Sequence, residues 1–192
     1  MARDQKKARK ERATIVFADE CGILMSSLVR RSWAPKGKTP ILKQKTRSRT
    51  KISAMGALAA TPNLRKIVFM FRLLTNQNFG ADQCVAFLRQ LLANITGKII
   101  LVWDNFLPHK SIKVKNLIKV NTRLSIEFLP PYAPELNPVE GLWSHLKMNK
   151  MANYCPRSLE DLEVKTKNSF CNVRSEKQVL KKVFDHALPK GC

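Results

Sequence analysis

Residues 99–105 read Ile-Ile-Leu-Val-Trp-Asp-Asn. Five apolar residues in a row, with Gly97 before them and two turn formers after, predict a strand buried on both faces. Such a strand lies inside a sheet that carries helices on each side. Its flanks agree. Before it, Cys84, Val85, Phe87, Leu88, Leu91 and Leu92 fall at helical spacing between Phe79 and Asn94, and Gly97 ends that run. After it, Ile112, Leu117, Ile118 and Val120 predict a short helix over 111–121. Leu124, Ile126 and Phe128 then alternate with Ser125 and Glu127, as a half-buried strand does. The centre of the chain is thus a βαβ pair.

Working outward, residues 1–13 form a basic segment. Ile15–Ala18 reads as a strand closed by Asp19 and Glu20, and Gly22 allows a turn into a second strand over Ile23–Val29. Lys51–Ala60 and Leu64–Leu74 read as two strands joined at Thr61-Pro62-Asn63. Pro130-Pro131 stops the strand before it. A helix is predicted over Leu136–Met148, with Asn137 as N-cap and Pro138 as first helical residue. Val139, Leu142, Trp143 and Leu146 form its apolar stripe. Another helix starts at the cap Ser158, with Asp161 three residues on, and a last short helix follows Asn172. The order ββ–ββ–α–β–α–β–α–α describes an α/β chain with a mixed central sheet flanked by helices. Its expected parts are a basic segment (1–13), a catalytic-size domain (14–172) and a helical tail (173–192).

Lys and Arg total 35 against 14 Asp and Glu, a formal net charge of +21 on 192 residues. A field of that strength selects polyanions, and nucleic acid is the common one. No apolar run reaches the ~18 residues of a membrane span, and no basic amphipathic helix offers a clean apolar face. Hydrophobic residues make up 44% of the chain, enough to exclude wholesale disorder. The five cysteines form no Cys-x-x-Cys pair, which fits unpaired thiols in a reducing compartment. Residues 30–51 hold nine Lys/Arg and no acid. Arg30, Arg31, Lys36, Lys38, Lys43, Lys45, Arg47 and Arg49 make this the expected phosphate-contacting stretch.

With acids so scarce, their positions carry information. Asp19 and Asp104 each end an apolar strand, and Glu140 opens an apolar helix. Neighbouring strands of one sheet could bring the aspartates together, and a helix packed on that sheet could add the third carboxylate. Like charges at short range raise each other's pKa values. A divalent cation reverses that repulsion, and paired Mg²⁺ ions are the recurring solution for phosphodiester chemistry. Each residue also has a plain structural reading. Asp19 and Asp104 could be turn formers, and Glu140 stands at the capping-box position of the Asn137 helix. Glu20 points to the opposite face from Asp19 if the strand continues, so it is not assigned as a ligand.

Three blocks resemble the catalytic domain of the IS630/Tc1/mariner-type DDE transposases. They are Val16-Phe17-Ala18-Asp19-Glu20-Cys21-Gly22, then Leu101-Val102-Trp103-Asp104-Asn105 with His109-Lys110, and Leu129-Pro130-Pro131-Tyr132-Ala133-Pro134-Glu135-Leu136-Asn137-Pro138-Val139-Glu140 followed by Trp143 and Leu146-Lys147. Trp33-Ala34-Pro35-Lys36-Gly37 is a further family feature, and thirty-five residues separate Asp104 from Glu140, close to the family spacing. The resemblance covers roughly residues 14–150. It implies a ribonuclease-H-like fold and a catalytic, metal-holding triad of Asp19, Asp104 and Glu140 with two Mg²⁺ or Mn²⁺. It implies strand cleavage at transposon ends, then attack of the freed 3′-hydroxyl on target DNA at TA dinucleotides. His109, Lys110 and Lys147 join the expected DNA contacts, and Asn105 and His109 are helpers that position DNA or an acid. A homodimer on paired ends and a cytoplasmic place at the bacterial nucleoid complete the expectation. The segment before the first strand leaves no room for helix-turn-helix recognition domains, so the chain reads as the catalytic domain without them. Three other readings compete: another ribonuclease-H-like nuclease, a non-catalytic DNA-binding remnant, and a basic RNA-binding protein. The last lacks an aromatic platform, since Phe, Trp and Tyr make up only 7%.

Overall fold

A computed structural model describes residues 2–26, 28–42, 50–131 and 133–187. Five strands form one sheet in the order β3-β2-β1-β4-β5. They are β1 (Thr14–Leu24), β2 (Lys51–Ala60), β3 (Ile67–Thr75), β4 (Ile99–Trp103) and β5 (Leu124–Phe128). β1, β2 and β3 pair antiparallel, and β1, β4 and β5 pair parallel. The helices are α1 (Ala2–Glu11), α2 (Ala81–Asn94), α3 (Ile112–Val120), α4 (Pro138–His145), α5 (Leu159–Ser175) and α6 (Lys177–Ala187).

The period-2 alternation of the strands builds two cores. Val16 and Ala18 of β1, with Leu101 and Trp103 of β4, face Cys84, Phe87, Leu88 and Leu91 of α2 and Val114 of α3. Ile15 and Phe17, with Ile100 and Val102, face Val139, Leu142 and Trp143 of α4, Phe170 of α5, and Leu180 and Phe184 of α6. β4 is buried at all five positions because both of its faces are covered, as its unbroken apolar run requires.

Two expectations are corrected. β1 does not turn at Gly22. It runs eleven residues without a break, because β2 pairs with it continuously from Ile15↔Ala60 to Leu24↔Lys51. A separate strand over Ile23–Val29 is therefore not formed. The helix expected over Leu136–Met148 is in three pieces: a 3₁₀ turn at Pro134–Leu136, α4, and a π turn at Leu146–Lys150. The helical stretch after residue 172 packs into the core, where the Phe17 and Phe184 rings meet edge to face at 5.8 Å. No helix among the described residues is long and apolar enough to cross a membrane.

Candidate active site

β1 and β4 run parallel, with Val16 beside Leu101 and Phe17 beside Val102. The same offset carried two residues further sets Asp19 beside Asp104, both on the face that α4 covers. Carboxylate oxygens of Asp19, Glu20 and Asp104 lie within 4.8 Å of one another. The acid that alternation sends to the other face thus joins the cluster, because its long side chain leaves the strand near the site. Glu20 is the residue the sequence reading missed.

Glu140 comes from α4. Its capping-box reading fails on the hydrogen bonds: the Asn137 backbone N–H donates to Pro134 O at 2.9 Å. The Asn137 side chain caps the helix by accepting from the Val139 N–H at 3.2 Å. The Glu140 carboxylate is left exposed at the helix start. Asp19, Asp104 and Glu140 line one cavity of about 340 Å³, walled by Leu129, Pro130, Pro131, Ala133 and Pro134. The proline-rich block shapes this wall and delivers the chain into α4.

Burial, then the charges of Glu140 and Glu20, push the Asp19 carboxyl up to about 7. The Trp143 indole N–H donates to Asp19 Oδ2 at 2.9 Å and works the other way. Asp104 is less enclosed. Burial opposes its charge, but the His109 ring and the Phe106 N–H hold its carboxyl below the usual range. His109 is buried and stacked on Trp103 at 3.6 Å. Its Nδ1 meets Asp104 Oδ1 at 2.7 Å and its Nε2 meets Glu20 Oε1 at 2.8 Å. Burial disfavours a charged ring there, yet hydrogen bonds with Asp104, Cys84 and Glu20 more than offset it and push the imidazole up to about 11. Burial also lifts the nearby Cys21 thiol to about 12, against the pull of Lys147. The donors that converge in the cavity are hard carboxylate oxygens, the set that suits Mg²⁺ or Mn²⁺.

The expected DNA contacts separate into groups. Arg31, Lys36, Lys38 and Lys110 are exposed. Lys36 and Lys38 flank Gly37, whose φ of +79° closes a turn from Pro35 O to the Lys38 N–H. Lys147 is half-buried beside the site. Lys43, Lys45, Arg47 and Arg49 lie outside the described residues. Arg30 is committed elsewhere: its guanidinium donates to Met148 O and Asn149 Oδ1, both at 2.8 Å. His109 does not face DNA, since its ring is enclosed and both of its nitrogens are occupied. The ring instead joins the Asp104 and Glu20 carboxylates. Asn105 donates to Leu129 O at 2.8 Å and so ties the end of β4 to the cavity wall.

Residues 14–163 match the DDE superfamily endonuclease family. The Mos1 transposase paired-end complex with left transposon end has the same fold, with a TM-score of 0.67 at 15% identity over 97% of this chain and 56% of that one. The catalytic domain of Mos1 mariner transposase matches with a TM-score of 0.55 at 15% identity, over 97% of this chain and 82% of that one. A Mos1 paired-end complex with Mn gives a TM-score of 0.65 at 16% identity, over 97% and 56% of the two chains. The chain thus spans little more than half of the transposase chains in those complexes. An uncharacterized protein, y4pE/y4sA of Sinorhizobium fredii, is 38% identical over 45 residues, 23% of this chain and 33% of its own. The chain belongs to the DDE superfamily endonucleases, and its mixed sheet has the same ribonuclease-H-like fold as the Mos1 transposase catalytic domain.

Proposed function

We propose that this DDE superfamily endonuclease is the catalytic domain of a DNA transposase, with Asp19, Asp104 and Glu140 holding a pair of Mg²⁺ or Mn²⁺ ions. One observation carries the reading. In a chain of net charge +21, Asp19 from the middle of β1, Asp104 just past the end of β4 and Glu140 from the start of α4 line one cavity. The grouping destabilises the free protein and is useful once a cation is present. When bound, such ions supply Lewis-acid activation of the attacking oxygen and stabilisation of the leaving one.

The reaction has two steps. A water oxygen bonds to the phosphorus at a transposon end, the P–O3′ bond breaks, and a 3′-hydroxyl is released. That hydroxyl then bonds to a target phosphorus, preferentially at TA, and expels the target's own 3′-oxygen. His109 and Trp143 hold Asp104 and Asp19 in place, while Lys110, Lys147 and the Lys36–Lys38 turn meet the phosphates. Two copies acting on paired ends, at the nucleoid of a bacterial cytoplasm, fit this chemistry.

The test is Asp104→Asn on a supercoiled plasmid carrying transposon ends. Nicking is expected to fall at least a hundredfold, while DNA retention in a mobility-shift assay stays within twofold. Undiminished nicking would refute the triad. A parent protein that binds DNA and never nicks it, with Mg²⁺ or Mn²⁺, would favour the non-catalytic remnant.

A further inference from the structure

Glu140 and Asp19 belong to different elements, and something must fix the distance between them. Two buried hydrogen bonds do so. The Asn137 Nδ2 donates to Ala18 O at 3.2 Å, and the Trp143 Nε1 donates to Asp19 Oδ2 at 2.9 Å. One bond comes from the residue that caps α4, the other from Trp143, between one and two turns further along. They grip adjacent residues of β1, and Glu140 lies between them in sequence. The space for the indole is built into the ladder. Gly56 is the residue paired with Asp19 across β1 and β2. A Cβ at Gly56 would stand 2.4 Å from Trp143 Cη2 and 2.9 Å from Phe69 Cε2. The ring therefore lies over the one position beside Asp19 that has no side chain.

We propose that Asn137 and Trp143, seated on Gly56, are positioning residues that brace the Glu140 helix to the Asp19 strand and so set the metal affinity of the cavity. The inference rests on the reading of that cavity as the cation site. Asn137 does two jobs with one amide: its oxygen caps α4 and its nitrogen holds β1. The indole is a donor only. It occupies Oδ2 of Asp19 and fixes that carboxylate at the cavity wall. Outer partners of this kind typically govern metal affinity by 10–100-fold.

The test is Mn²⁺ binding to the whole chain, read by electron paramagnetic resonance of free Mn²⁺, beside thermal unfolding without metal. Trp143→Phe keeps a ring over Gly56 and removes the donor. Asn137→Ser keeps an oxygen for the helix cap and removes the amide. Each is expected to weaken Mn²⁺ by about 10–100-fold. Leu142→Val, in the same helix and core, is expected to lower the melting temperature and leave Mn²⁺ affinity within twofold. Trp143→Phe with parental Mn²⁺ affinity, where Asp19→Asn abolishes binding, would overturn the brace alone. Asp19→Asn with parental Mn²⁺ affinity would overturn the cation site and the brace with it.

Discussion

Asp19 is held against its own ionisation. Its ordinary value is 3.8, and burial, Glu140 and Glu20 raise it to about 7. A carboxyl whose folded value exceeds its unfolded one stabilises the fold fully below pH 4. That contribution is lost as the pH climbs to 7, by roughly 4 kcal/mol. Asparagine has no charge to bury and can still accept from Trp143. Without metal, the melting temperature of Asp19→Asn should therefore gain on that of the parent from pH 4 to 7, and the gap should level off above. A divalent cation binds the ionised form, so the Mg²⁺-induced rise in the parent should grow over the same window and be absent from Asp19→Asn. Scanning calorimetry at pH 5, 6, 7 and 8 reads both. An equal Mg²⁺ response in the two proteins at pH 8 would put the cation elsewhere.

Elements differ in how openly the sequence declares them. β4 and α2 were plain, because an unbroken apolar run and a helical stripe each match a single period. The end of β1 was hidden, since Asp19, Glu20 and Gly22 look like a turn and only pairing with β2 keeps them extended. That Asp19, Asp104 and Glu140 line one cavity was legible from the scarcity of acids and from Asp104 and Glu140 at element ends, although Asp19 proves to lie mid-strand. Glu20 and Trp143 were not: alternation assigns a face but not the reach of a long side chain, and an indole in an apolar stripe reads as core. α6 also hid its weight behind eleven residues of mixed character. Its Leu180 and Phe184 are fully enclosed against Phe17 and the α4 side chains. Phe184→Ala is expected to cost about 3–5 kcal/mol, measured by urea unfolding. A loss under 1 kcal/mol would mean that α6 merely rests on the domain.

At the scale of the whole molecule, the excess of cations over acids is a statement about salt. Each phosphate neutralised by a lysine or arginine releases counterions, and the logarithm of DNA affinity falls with the logarithm of salt by about 0.9 per contact. The exposed turn bearing Lys36 and Lys38 projects from the loop between β1 and β2 with no acid near it in sequence. Replacing both with alanine should weaken binding to any duplex alike and flatten the slope by up to about 2. Arg30 stands in the same basic stretch but has a different task. It ties the exit of β1 to the π turn behind α4 through Met148 and Asn149, and Asn153 grips its backbone at both the N–H and the carbonyl. Arg30→Ala should therefore lower the melting temperature and leave the salt slope within experimental error. Fluorescence anisotropy on a random duplex between 50 and 300 mM salt separates the two. If Arg30→Ala flattens the slope as much as the lysine pair does, the guanidinium leaves its carbonyl for phosphate when DNA arrives, and the basic stretch acts as one surface.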